Sequence, residues 1–191
     1  MTAVTAIVLA GGASRRFGSD KLAAPLGDST VLDRLLDGLP AGLAGPDDWR
    51  VVCVGPQRPT RRAVDWAREE PPGGGPVAAT TAGLARIESK CAIVVVLAGD
   101  QPYAAAAALR LSALLDQSAE VDAVVAVDGR GRTNPLLAAY RIGPLRAALP
   151  AEPAGTAAHA LLDQLRVLPI RVPDDEGRDV DTRQDLRDLA P

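Results

Sequence analysis

Aromatic side chains are nearly missing from this chain: two tryptophans, two tyrosines and one phenylalanine among 191 residues. Hydrophobic residues still make up 47%, so the core must be built from Ala, Val and Leu, which suits thin, closely packed α/β layers. No apolar run approaches the ~20 residues that cross a bilayer, which argues against a membrane protein. The N-terminus runs straight into a strand with no basic stretch or cleavage site, so no signal peptide is expected. Histidine occurs once, as His159. A Ser-His-Asp system would have one candidate base and no nucleophile motif, and metal sites cluster their ligands, so His159 reads as structural. The two cysteines, Cys53 and Cys91, lie in apolar strand-like runs and read as buried thiols of a cytoplasmic protein, a disulfide being the less favoured alternative. Excess positive charge is also lacking. A net charge of −3 argues against nucleic-acid binding, which wants a basic face.

Lysine is scarce as well: of 21 basic residues only Lys21 and Lys90 are lysines. Lys21 closes the most informative stretch, Leu9-Ala10-Gly11-Gly12-Ala13-Ser14-Arg15-Arg16-Phe17-Gly18-Ser19-Asp20-Lys21. It follows an apolar run, Val4 to Leu9, that reads as a buried strand. Glycines let a backbone take positive φ and a ligand come close, and successive N–H groups in such a turn make an anion site. Arg15, Arg16 and Lys21 add positive charge suited to phosphate. The stretch therefore reads as a phosphate-gripping loop, against the alternative of an ordinary βα turn with its arginines in solvent. A P-loop needs four residues between its glycines and then Lys-Ser/Thr, but five separate Gly12 from Gly18. Ala13 breaks the dinucleotide fingerprint G-x-G-x-x-G.

Further along, strands are expected at Arg50 to Gly55, Ala92 to Leu97, Val121 to Val127, Asn134 to Tyr140 and Val167 to Val172. Helices are expected at Val31 to Leu39, Val77 to Ile87, Ala104 to Leu115, Gly143 to Leu149, Gly155 to Leu165, and from the Asp179-Val180-Asp181-Thr182 cap to Leu189. Arg61 to Arg68 suits a short helix or strand. A second glycine loop spans Glu69 to Pro76. This alternation predicts the α/β class: a single domain, residues 1–191, whose mainly parallel sheet carries helices on both faces. An antiparallel strand is expected in the Val121 to Tyr140 region. Ligands of such sheets bind beyond the carboxyl ends of the strands, where both glycine loops and Asp100 would meet. Mg²⁺ typically takes one or two protein carboxylates and fills its shell with water and phosphate. Asp100 suits that role, and Asp181 is a second carboxylate that serves equally well as a helix cap.

Five blocks in order resemble nucleotidyltransferases of the molybdenum cofactor guanylyltransferase type, spanning nearly the whole chain. They are the loop Leu9 to Lys21, Gly75-Pro76-Val77-Ala78-Ala79, Val96-Leu97-Ala98-Gly99-Asp100-Gln101-Pro102, Asn134-Pro135-Leu136-Leu137 with Tyr140-Arg141, and Asp179-Val180-Asp181-Thr182 with Asp185-Leu186. The resemblance implies a Rossmann-like fold of the nucleotide-diphospho-sugar transferase type. It implies transfer of GMP from GTP to the terminal phosphate of molybdopterin, with Mg²⁺ as cofactor and pyrophosphate released. It places Leu9, Ala10, Gly11 and Gly12 at the base and ribose, Lys21 at the phosphates and Asp100 at the metal. Beside these, Ser14, Arg15 and Gly75 are expected at the nucleotide, Arg16 at the phosphates and Asp181 as a second metal carboxylate. A carboxylate before the Gly-Pro loop meets the guanine, which corresponds to Glu70 or else Glu69. Leu9-Ala10-Gly11-Gly12 favours guanine over the L-A-A-G of related cytidylyltransferases, whereas Gly99-Asp100-Gln101-Pro102 suits either branch. A CTP-using enzyme, another phosphorylated acceptor, and a GTP-binding partner without turnover are the alternatives. A monomer or weak oligomer, with transient contacts to other cofactor-biosynthesis proteins, is expected.

Overall fold

The computed structural model describes residues 3–12, 14, 16–40, 49–87 and 91–189. Strands are β1 (Val4–Leu9), β2 (Pro25–Leu26), β3 (Ser29–Thr30), β4 (Arg50–Val54), β5 (Asp65–Ala67), β6 (Ile93–Ala98), β7 (Ala123–Val127), β8 (Thr133–Arg141) and β9 (Val167–Arg171). Helices are α1 (Val31–Gly38), α2 (Pro76–Leu84), α3 (Ala105–Gln117), α4 (Ile142–Ala148) and α5 (Arg183–Leu189). Seven strands form one sheet in the order β5-β4-β1-β6-β8-β7-β9, and β2 and β3 make a separate small hairpin. Within the seven-stranded sheet, among the described residues, only β8 runs against its neighbours, which is the antiparallel strand expected in that region.

The near-continuous apolar runs of β1 and β6 reflect burial on both faces. Ala6 and Val8 of β1, with Ile93, Val95 and Leu97 of β6, pack under α1 and α3. Ile7, Val94 and Val96 face the opposite layer, built from α2 and α4. Small residues set the layer spacing. A methyl group at Gly83 of α2 would lie 2.7 Å from an Ile7 side-chain carbon, so the helix sits as close to β1 as a backbone allows.

Chain order reverses beside β1. The chain passes outward to β4 and β5, then crosses back through α2 to β6 on the other side. A crevice opens where such a reversal occurs, between the ends of β1 and β6, where Leu9 pairs with Ala98.

One expectation needs correction. Gly155 to Leu165 is not a helix but a single 3₁₀ turn at Ala158–Leu161. Favourable propensity is overridden by tertiary ties: the Gly155 amide bonds the Gly74 carbonyl at 2.7 Å, and Gln164 turns at φ 63° to lead into β9. Of the two forms expected for Arg61 to Arg68, the stretch takes the strand, β5. Thr30 caps α1, accepting from the Asp33 amide, and Asp28 pairs with Arg34. Cys53 and Cys91 are free and buried, and burial pushes the Cys53 thiol up to about 12. Among the described residues no helix is long and apolar enough to cross a membrane.

Candidate active site

The first glycine loop leaves β1 at Leu9 and is held down by its own apolar residues. Phe17 and Leu22 are each 3% exposed and packed into the layer under α1, worth roughly 1.5–3 kcal/mol apiece on full burial. The chain turns on glycines, with φ of 102° at Gly12 ahead of these anchors and 81° at Gly18 between them. Asp20 then accepts from the Leu22 amide and caps a 3₁₀ turn, Lys21–Ala23, that begins at the lysine. Arg15 lies outside the described residues, so its expected place at the nucleotide has no structural counterpart here.

The C-terminal segment reaches the same crevice from the far end of the chain. Val180 is fully buried, and its amide bonds the Asp100 carbonyl at 2.9 Å. Gln101 Nε2 donates to the Gly177 carbonyl at 3.0 Å. Thr182 and Asp185 form a reciprocal cap: the Asp185 amide donates to Thr182 Oγ1, and the Thr182 amide to Asp185 Oδ2. The cap of α5 is therefore Thr182, which leaves the Asp181 carboxylate free to face the crevice.

There Lys21 Nζ bridges Asp100 Oδ2 at 2.6 Å and Asp181 Oδ1 at 3.0 Å, while Arg16 Nη1 meets Asp181 Oδ2 at 3.0 Å. Burial works against the Lys21 ammonium, but hydrogen bonds and charges from Asp100 and Asp181 outweigh it and raise its pKa. Loss of water, and then the negative charges of Asp100 and Asp181, raise the Asp179 carboxyl. The Arg16 pair is exposed at the surface and contributes little to stability. Two carboxylates converging on one cation fit a hard divalent metal bound by few protein ligands. No group of three or more such ligands exists among the described residues.

On one side of Asp100 lies a cleft of about 280 Å³ lined by Leu9, Gly11, Gly12, Glu69, Gly75 and Leu136, among others. Gly75, with φ of 90°, precedes α2, whose first residue is Pro76. Of the two expected carboxylates, Glu69 lines this cleft, whereas Glu70 is exposed and is not among its lining residues. Glu69 is 9% exposed. Its Oε1 accepts from the Gly73 amide at 3.1 Å, and its buried Oε2 has no partner. On the other side of Asp100 a second cavity, about 490 Å³, is lined by Gln101, Arg132, Thr133, Asn134, His159 and Asp179, among others. Here His159 departs from expectation: it is an exposed cavity residue, its Nε2 3.5 Å from Thr133 Oγ1.

Sequence reasoning passed over Arg58 and Gly55. Arg58 contacts the first loop at both ends, and a Cβ at Gly55 would come within 2.6 Å of the Ala10 carbonyl. Both follow a strand in an unremarkable turn, and their partners are tens of residues away. Only the glycine after an apolar run gave any signal.

A glycine-lined cleft and a carboxylate pair lie at the reversal point of an α/β sheet, the place where doubly wound proteins bind nucleotides. Comparison with known proteins makes this specific. The chain belongs to the MobA-like NTP transferase family, whose domain model matches residues 6–168. A probable molybdenum cofactor guanylyltransferase of Mycobacterium tuberculosis H37Rv is 36% identical over 138 residues, 71% of this chain but 66% of that protein, just under two thirds of its length. The crystal structure of molybdopterin-guanine dinucleotide biosynthesis protein A from Archaeoglobus fulgidus has the same fold, with TM-score 0.71, 20% identity, and 97% and 96% of the two chains covered. So does the Rv0371C protein of M. tuberculosis H37Rv in complex with manganese, with TM-score 0.68, 23% identity and 98% of each chain covered.

Proposed function

We propose that this chain, residues 1–191 acting as one nucleotidyltransferase domain, transfers GMP from GTP to the terminal phosphate of molybdopterin and releases pyrophosphate, as a step of molybdenum cofactor biosynthesis. The curated relative supports the reaction by name. The observation that carries the choice of base is Glu69. A buried carboxylate oxygen without a donor is costly, and guanine offers two adjacent donors, N1–H and its amino group. The Watson–Crick edge of cytosine offers one donor beside two acceptors, which would face the carboxylate unfavourably.

In this reading the guanine lies in the cleft at Glu69, with Leu9, Ala10, Gly11 and Gly12 along the base and ribose and Ser14 at the loop's turn. Gly75 brings the α2 end close. Lys21 and Arg16 supply positive charge to the phosphates. Asp100 and Asp181 would hold a divalent cation, Mg²⁺ or the manganese seen with the mycobacterial structure. When bound, such an ion neutralises charge on phosphate oxygens. The acceptor enters the second cavity, beside Arg132 and His159, so that its phosphate approaches the α-phosphorus opposite the departing pyrophosphate. A phosphate nucleophile is already ionised at neutral pH, so no general base is required, and positioning and electrostatics supply the rate.

The test is pyrophosphate release with purified molybdopterin and GTP, CTP, ATP or UTP, with Mg²⁺, with Mn²⁺ and after chelation. Release with GTP alone, lost on chelation, supports the proposal. Preference for CTP would move the chain to the cytidylyl branch, and no release with any nucleotide would leave a binding protein.

A further inference from the structure

The first glycine loop has a structural problem. Its second half is anchored by Phe17 and Leu22, but its start, Gly11-Gly12 after the buried Ala10, has no side chain able to fix it. Arg58, from the turn after β4, meets this need. Its side chain is only 12% exposed. Nη1 donates to the Ala10 carbonyl at 2.7 Å, and Nε donates to Asp20 Oδ2 at 3.0 Å. The other Asp20 oxygen caps the turn that starts at Lys21. One guanidinium thus ties the first residue of the loop to the last one before the lysine. Arg58 also lines a cavity of about 490 Å³ inside the loop's arc, with Gly12, Ser14, Gly18 and Asp20.

We propose that Arg58 is a positioning residue for nucleotide binding: it closes the glycine loop before the nucleotide arrives and fixes Lys21 through Asp20. The nucleotide part rests on the function proposed above. A loop held in its binding shape avoids the ordering cost that a free glycine loop would meet on binding. The guanidinium suits the task because its rigid fork serves two acceptors at once, which a lysine ammonium on a flexible stem does poorly.

The experiment compares native protein with Arg58→Ala, Arg58→Lys and Asp20→Asn. It measures hydrogen exchange of amides 11–20 without nucleotide, and GTP affinity by calorimetry. In Arg58→Ala the loop amides should exchange about tenfold faster and the GTP Kd should rise about tenfold, the scale of a lost charge-assisted hydrogen bond. The amides of β1 and β6 should keep their protection, and turnover at saturating GTP should stay within about threefold. Arg58→Lys should recover only part of the affinity. Asp20→Asn, which keeps an acceptor for the cap, should fall between. Unchanged loop exchange in Arg58→Ala would overturn the proposal, as would faster loop exchange with native GTP affinity. Equal loss of protection across the core would also overturn it, by making the role one of general stability. If the native protein binds no GTP, the guanine-nucleotide reading fails, while the exchange comparison still decides whether Arg58 closes the loop.

Discussion

Glu69 and Glu70 are adjacent and chemically alike, yet only Glu69 carries its carboxylate into the glycine-lined cleft. The cost of its unpartnered buried oxygen disappears when a donor arrives, which makes the residue a sensor of hydrogen-bond donors. Glu69→Gln keeps the shape but puts an amide where two acceptors stood, so it should weaken GTP binding about tenfold or more and narrow the preference over CTP. Glu70→Gln should leave both affinities within about twofold, as exposed substitutions do. Calorimetric titration of each variant with GTP and with CTP checks the pair, and equal effects of the two substitutions would remove Glu69 from the base site. The choice between the two was illegible in the sequence because residues 68–75 follow no strand or helix period. Nothing local says which of two neighbours points inward. That Lys21 and Asp100 meet at one sheet edge was legible, because one closes the loop that leaves β1 and the other stands two residues past the apolar strand β6.

At the scale of elements, β9 is an edge strand held by β7 alone. The Arg166 carbonyl and the Val172 amide bond β7, so Pro169 at its centre turns its missing donor to the open side, and a further fastening matters. Asp122, just before β7, provides it: the carboxylate accepts from the Arg166 amide, Nε and Nη2 at 2.9–3.0 Å. These hydrogen bonds hold the Asp122 carboxyl down to about 2, from an ordinary 3.8. A depressed carboxylate adds stability above its unfolded pKa and loses that contribution as pH falls through the folded one. The stability gap between native protein and Asp122→Asn should therefore be full at pH 5 and shrink between about pH 4 and pH 2. Urea melts at several pH values check this, and a gap independent of pH would show that the carboxylate charge is not involved. Six strands of the main sheet, β1, β4 and β6 to β9, were legible from their apolar runs, and the βα alternation predicted the sheet. By contrast, β5 was open between helix and strand, and the short hairpin β2–β3 has no apolar run to show it. The Gly155 to Leu165 segment was not legible, because its composition favours a helix, while its contact with Gly74, eighty residues away, and the positive-φ turn at Gln164 oppose one.

The whole molecule places two cavities on either side of one carboxylate, and this arrangement makes a kinetic prediction. Glu69 belongs to the first cavity, His159 to the second, and Asp100 lines both. If nucleotide and acceptor occupy them separately, substitutions should sort by side. His159→Ala should raise the KM for molybdopterin about fivefold while leaving GTP affinity within twofold, the pattern of lost binding to one substrate alone. Glu69→Gln should do the reverse. Asp100→Asn removes a charge where the two substrates meet, and should lower kcat about 100-fold or more, the scale of losing one electrostatic group at the reacting centre. Steady-state kinetics with each substrate varied in turn separates these cases. If His159→Ala weakened GTP as much as molybdopterin, the two cavities would have to be one continuous nucleotide site. The acceptor would then need another approach to Asp100, and the candidate for it is the exposed side of the loop that carries Arg16.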